Sequence, residues 1–132
     1  MSTLLLDTHV WAWSLSKRPL PTRIAEGIAK ADIIQVSPIS FYEIGQKVRL
    51  GKWPEMEPFV AELQERLQRQ GGHIAPLTPE ICLMAATMAW DHRDPFDRIL
   101  AATSLINDCR LASVDTAFDN YIEDGRRVAR LG

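Results

Sequence analysis

The stretch Thr3-Leu4-Leu5-Leu6-Asp7-Thr8-His9-Val10-Trp11-Ala12-Trp13-Ser14-Leu15 changes its periodicity at Asp7, and that change decides the fold. Thr3–Leu6 is an apolar run without polar alternation, as a strand covered on both faces requires. Residues 9–15 then carry apolar side chains at helical spacing. A buried strand feeding directly into a helix is the opening of a parallel α/β unit, because a parallel neighbour needs a long crossover connection.

The same beat repeats along the chain. Residues 22–30 place Ile24, Ala25, Ile28 and Ala29 on one helical face, and Ile33–Val36 is rich in the β-branched residues that favour strands. Ser37-Pro38 reads as an N-cap followed by a first-turn proline, starting a helix that runs to about residue 50, where Gly51 ends it. Residues 55–70 predict another helix, 73–75 a weak strand, 79–90 a helix, and 96–108 a helix striped by Ile99, Leu100, Thr103 and Ile106. Residues 111–114 form a third clear strand, 116–121 a short helix, and 128–131 an edge strand. The expected fold is therefore α/β with a mainly parallel sheet. Helix 79–90 has no place in a simple crossover, since it stands in series with 96–108.

With 132 residues, 46% of them apolar, the chain suits a single domain spanning 1–132, because such domains commonly run about 100–150 residues. A net charge of −2 argues against a general electrostatic clamp on nucleic acid. Local basic groups remain at Lys17, Arg18 and Arg23, at Lys47, Arg49 and Lys52, and at Arg93 and Arg98, each explicable as solvated surface. Cys82 and Cys109 lack any zinc-ligand or disulfide pattern and read as buried reduced thiols. No apolar run reaches the roughly 20 residues that span a bilayer, so no membrane association and a cytoplasmic location are expected.

The chemistry lies in the acids. In a parallel sheet every strand ends on one edge, and the following helix begins there. Asp7 and Asp115, each following a strand, share that edge. Glu43 lies about one and a half turns into the helix after strand 33–36, so at about 1.5 Å rise per residue it stays nearby. Helix 96–108 runs back into strand 111–114, which brings its start, with Asp94 and Asp97, to the same place. Several carboxylates meeting in a cleft repel one another by several kcal/mol unless a cation neutralises them or some take up protons. All-oxygen donors favour Mg²⁺ or Mn²⁺ over zinc.

Each acid also has a purely structural explanation. Asp7 and Asp115 suit N-caps, Asp94-Pro95 is a strong N-cap and first-turn proline, and Asp97 suits the helix dipole. Glu43 sits four residues before Lys47, the favourable orientation for an exposed helix pair. Asp119 ranks below Asp115. His9, His73 and His92 show no ligand spacing and read as core or surface histidines, with His9 close enough to Asp7 to touch a substrate. Trp11, Trp13 and Trp90 read as core, while Trp53 between Lys52 and Pro54 reads as partly exposed.

Taken together, Leu5-Leu6-Asp7-Thr8-His9, Ser40-x-x-Glu43-Ile44, His92-Arg93-Asp94-Pro95-Phe96-Asp97-Arg98 and Ser113-Val114-Asp115 resemble the PIN-domain ribonucleases of the VapC toxin type. The resemblance runs from Leu4 to about Tyr121. It implies a three-layer α/β/α domain, a Mg²⁺- or Mn²⁺-dependent endoribonuclease, and a catalytic and metal-binding quartet of Asp7, Glu43, Asp97 and Asp115. Asp94, Thr8 and Arg98 take supporting roles in this reading, Phe96 packs inward, and Arg93 and Arg98 meet phosphate or a neighbouring acid. It further implies the toxic half of a type II toxin–antitoxin pair that cuts tRNA or rRNA and so stops translation and growth. A small antitoxin would occlude the site, and the toxin would form a homodimer. Two other classes fit the pattern less well. A phosphorylation-switch receiver would need an acidic pair after the first strand and a late lysine, whereas Asp7 stands alone and no lysine follows Lys52. A non-catalytic scaffold on the same fold would not need the acids.

Overall fold

A computed structural model describes all 132 residues. Its elements run β1 (Thr3–Leu6), α1 (Thr8–Leu15), α2 (Thr22–Lys30), β2 (Ile33–Val36), α3 (Pro38–Arg49), a 3₁₀ segment (Pro54–Glu62), α4 (Leu63–Arg69), β3 (His73–Ile74), α5 (Pro79–Thr87), α6 (Pro95–Asn107), β4 (Arg110–Ala112), a second 3₁₀ turn (Thr116–Asn120), β5 (Ile122–Glu123), β6 (Arg126–Arg127) and β7 (Arg130–Leu131). Five strands form one sheet in the order β3-β2-β1-β4-β7, and every pairing in it is parallel.

Period-two alternation in β1 explains the uninterrupted apolar run. Leu4 and Leu6 point into one core with Val10 and Trp11 of α1, Ile24 of α2, Ile44 of α3 and Leu63 and Leu67 of α4. Leu5 points the other way, into a second core with Leu111, Ile81 and Ala85 of α5, and Leu100 and Leu105 of α6. Helices on both faces of a parallel sheet make the three-layer α/β/α fold. Truncating a fully buried leucine such as Leu5 costs about 2–5 kcal/mol in such a core. Helix α5, unplaced by the sequence, lies against α6 on the second face. Gly27 on α2 permits the close approach of β7, since a Cβ there would meet Leu131 Cδ2 at 2.1 Å.

Several sequence expectations are corrected. The helix expected over 55–70 is divided, because Pro58 falls inside it; proline lacks an N–H and clashes with the preceding turn, so α-winding starts only at Leu63. The helix expected over 79–90 stops at Thr87, where Met88 turns extended with ψ 133° and the carbonyls that follow face Arg98. Strand 111–114 is shifted, with Val114 already 44% exposed. The edge strand expected over 128–131 narrows to Arg130–Leu131. Cys109 is buried as expected, whereas Cys82 is exposed on α5. The antiparallel β5–β6 hairpin was not foreseen; its turn, at Asp124 and Gly125 with positive φ, carries a left-handed pair that favours such hairpins.

The sheet order positions the site. From β1 the chain moves outward to β2 and β3, then returns to place β4 on the other side of β1. Crevices at such a reversal, outside the C-terminal ends of the strands, are where α/β sheets bind ligands.

Candidate active site at the switch point of the sheet

Asp7 leaves β1 at this crevice. Its backbone N–H donates to the Ala112 carbonyl at 3.0 Å, so the sheet ladder extends one residue past the strand, and its Oδ1 accepts from Val10 N at 2.8 Å as the N-cap of α1. The carboxyl is nonetheless buried at 6% exposure. Burial pushes its pKa up, the Glu43 charge adds to that, and the Ser113 hydroxyl, Val10 N–H and His9 pull it down.

Glu43, also buried, is tied to Lys47 Nζ at 2.5 Å. The ion pair read from the sequence therefore exists, and Glu43 still acts electrostatically on both Asp7 and Asp97. The placement has a local cause. Thr8 Oγ1 and Ser40 Oγ, both buried, share a hydrogen bond of 2.9 Å, which pins the start of α1 to α3 one residue past Asp7 and one turn before Glu43. Thr8 supports the site by holding these two helices together.

Asp94 caps α6, its Oδ1 accepting from Phe96 N at 2.9 Å and Asp97 N at 3.3 Å. Asp97 follows one turn in, with Oδ2 at 2.7 Å from His92 Nε2. Burial pushes the Asp97 carboxyl up to about 6; the His92 hydrogen bond opposes this, and the charges of Asp94 and Glu43 add to it. Asp115 caps the turn after β4 through Oδ1 to Ala117 N at 2.9 Å and is exposed. Its backbone N–H donates to Ser113 Oγ at 3.0 Å, which fixes the bend out of the sheet. One ligand atom each from His92, Asp97 and Asp115 lies within 4.8 Å of the other two.

Capping leaves room for a site role, since a carboxylate has two oxygens. Asp115 spends Oδ1 on its cap, Asp97 spends Oδ2 on His92, and Glu43 spends Oε2 on Lys47. In each the second oxygen makes no hydrogen bond within the protein. Hard oxygen donors, two of them on carboxyls that burial and neighbouring charge hold above the ordinary carboxylate range, fit a Mg²⁺ or Mn²⁺ ion.

The structure reassigns three residues of the His92–Arg98 segment. Arg98 does not face phosphate or an acid; its guanidinium donates to the carbonyls of Ala85 at 2.7 Å, Met88 at 2.7 Å, Trp90 at 2.8 Å and His92 at 3.0 Å. It supports the site by lacing the end of α5 and residues 88–92 onto α6. Phe96 does not enter either core but lies half-buried beside Tyr42, ring centroids 6.1 Å apart. His92, read as an ordinary histidine, belongs to the site. Its ring packs on Trp90 at 4.8 Å, and the only sequence signal for it was its position just before the α6 cap. Asp119 is engaged at 2.9 Å by Arg130, whose guanidinium also donates to the Ser113 carbonyl at 2.9 Å.

A parallel α/β fold with converging carboxylates at the reversal of its sheet defines a class of edge-site proteins suited to divalent cations. The chain belongs to the PIN-domain family, whose model matches residues 4–123. It is 28% identical over 120 residues to Ribonuclease VapC22 of Mycobacterium tuberculosis, covering 87% of this chain and 88% of that protein. Among solved structures, VapBC2 from Rickettsia felis bound to a DNA fragment from its promoter shares the fold with TM-score 0.66 at 15% identity, covering 97% of this chain and 98% of that one. VapBC-1 from nontypeable Haemophilus influenzae shares it at 0.57 and 18% identity, covering 86% and 87%. A toxin–antitoxin complex from Klebsiella pneumoniae shares it at 0.57 and 17%, again covering 86% and 87%.

Proposed function

We propose that this protein is a Mg²⁺- or Mn²⁺-dependent endoribonuclease and the toxin of a type II toxin–antitoxin pair. The observation that carries the reading is the acidic cluster in which His92, Asp97 and Asp115 offer ligand atoms within 4.8 Å of one another and burial, with the charge of Glu43 added, holds Asp7 and Asp97 above the ordinary carboxylate range. Family membership and the ribonuclease relative support it.

Asp7, Asp97 and Asp115 would hold the cation, and Glu43 would complete its shell or orient the attacking water. When bound, the ion supplies positive charge to the phosphate oxygens and lowers the pKa of its water. Around it the chain's own residues do the positioning. His92 fixes the Asp97 carboxyl, Asp94 fixes the helix turn that carries it, Thr8 with Ser40 sets the spacing of Asp7 and Glu43, and Arg98 holds the loop behind His92. In-line attack on phosphorus leaves a 5′-phosphate and a 3′-hydroxyl. The substrate in this reading is tRNA or rRNA, so that cutting it stops translation and growth in the cytoplasm. A small antitoxin covering the acidic edge, and a homodimer of the toxin, complete the proposal; the likeness to a toxin–antitoxin complex from Klebsiella pneumoniae supports the partner. No helix of the chain is long and apolar enough to cross a membrane.

Purified protein incubated with structured RNA should cleave it only when Mg²⁺ or Mn²⁺ is present. Undiminished cleavage by Asp97→Asn would sink the proposal. Sequencing RNA ends after brief expression would reveal the target.

A further inference from the structure

A cleft of ≈ 370 Å³ opens beside the acidic edge, lined among others by His9, Trp13, Arg18, Trp53 and Glu55. That volume falls in the range of about 300–1,000 Å³ usual for small-ligand sites. The His9 ring stacks on Trp53 with centroids 4.8 Å apart at 29° and meets Trp13 edge-on at 6.3 Å. His9 itself is exposed. The Arg18 guanidinium lies 4.9 Å from the Trp13 ring centre, and Lys47 Nζ lies 5.6 Å from that of Trp53.

Two residues link this cleft to the acidic site. His9 follows Asp7 by two positions on α1, and Lys47, over Trp53, is bonded to Glu43 at 2.5 Å. Aromatic faces accept any base by stacking, and flanking cations match the phosphates on either side of it. Glu55 repels phosphate but accepts hydrogen bonds from a base's amino group. A lining of ring faces with the Arg18 guanidinium, Ala12 and Met56 being its only aliphatic side chains, and with Lys47 over the Trp53 ring, suits a nucleotide better than an apolar helix of a partner protein.

We propose that this cleft stacks an unpaired base of the RNA strand whose phosphodiester lies at Asp7, Glu43, Asp97 and Asp115; the inference rests on the ribonuclease reading and adds a single-strand requirement next to the cut. The test is binding of a fluorescent single-stranded oligoadenylate of about ten nucleotides, read by anisotropy in EDTA so that no cleavage intervenes. A strand of equal length with abasic positions is the comparison. Wild-type protein should bind the intact strand more tightly than the abasic one, and His9→Ala should weaken binding of the intact strand about tenfold. Trp53→Leu should do the same, and His9→Ala keeps the test decisive if loss of the half-buried indole disturbs folding. Equal affinity of wild type and His9→Ala for the intact strand would overturn the proposal, as would equal affinity of wild type for intact and abasic strands. Unchanged RNA binding together with loss of a co-purified partner protein would reassign the cleft to protein docking and overturn it too. A wild-type protein that cleaves no RNA with Mn²⁺ sinks the ribonuclease reading, whereas loss of the base contrast alone sinks only this inference.

Discussion

Replacing Asp97 by asparagine should stabilise the metal-free protein near neutral pH while abolishing its metal-dependent activity. The Asp97 carboxyl is raised from 3.8 to about 6, so the folded state binds a proton that the unfolded chain has already released. Between those values the native protein holds more protons than the unfolded one, and stability falls as pH rises through the window. A shift of about two pK units corresponds to at most ~3 kcal/mol, which screening of a side chain left 21% exposed reduces to ~1–2 kcal/mol. Asparagine keeps an oxygen to accept from His92 Nε2 and removes the repulsion with Asp94 and Glu43. The variant should therefore melt roughly 4–8 °C above wild type in EDTA at about pH 8, with the gap closing toward about pH 4, where both side chains are neutral. Thermal melts across that pH range measure it. An Asp97→Asn protein that melts at or below wild type at the alkaline end would refute the claim that burial, with the charges of Asp94 and Glu43, disfavours an ionised carboxylate at this position.

Arg98→Met should destabilise the fold by about 3–5 kcal/mol, because four carbonyls lose a charged donor and two or more of them are left inside the protein; chemical denaturation reads this, and a loss under 1 kcal/mol would contradict the lacing role. His92→Ala should weaken Mn²⁺ binding about tenfold with little change in melting temperature, and His92→Gln, which can still reach the Asp97 oxygen, should recover part of the affinity; equal affinities in all three proteins would remove His92 from the site. Thr8→Val should lower kcat more than it raises KM, since it loosens the Asp7–Glu43 spacing without touching substrate, and an unchanged kcat would argue against that coupling.

The layers and the parallel sheet were legible because they rest on short-range signals. The unbroken Leu4-Leu5-Leu6 run dictates burial on both faces, and the rule that helices follow strands at one edge accounts for Glu43 acting on both Asp7 and Asp97 and for Asp97 lying near Asp115. The caps at Asp7, Asp94 and Asp115 were legible for the same reason. What was not legible depends on contacts across sequence. Arg98 looks like any surface arginine until α5 and residues 88–92 turn their carbonyls toward it, and those contacts also place α5, which no crossover rule could. His92 has no spacing signature, because its partner lies across the cap, five residues on. Pro58 marked the break in 55–70, but a proline near a helix start is also compatible with continued winding. The cleft at His9 and Trp53 joins residues 44 positions apart, beyond the reach of any local pattern.

If the acidic edge holds a divalent cation, that cation must bind with measurable affinity. Calorimetric titration of Mn²⁺ into the wild-type protein and into Asp97→Asn tests it most directly. Saturable binding is expected at neutral pH, weakening as the pH drops below about 6, where Asp97 takes up its proton, and lost in the variant. Equal Mn²⁺ affinity in the two proteins, or none in the wild type, would contradict it.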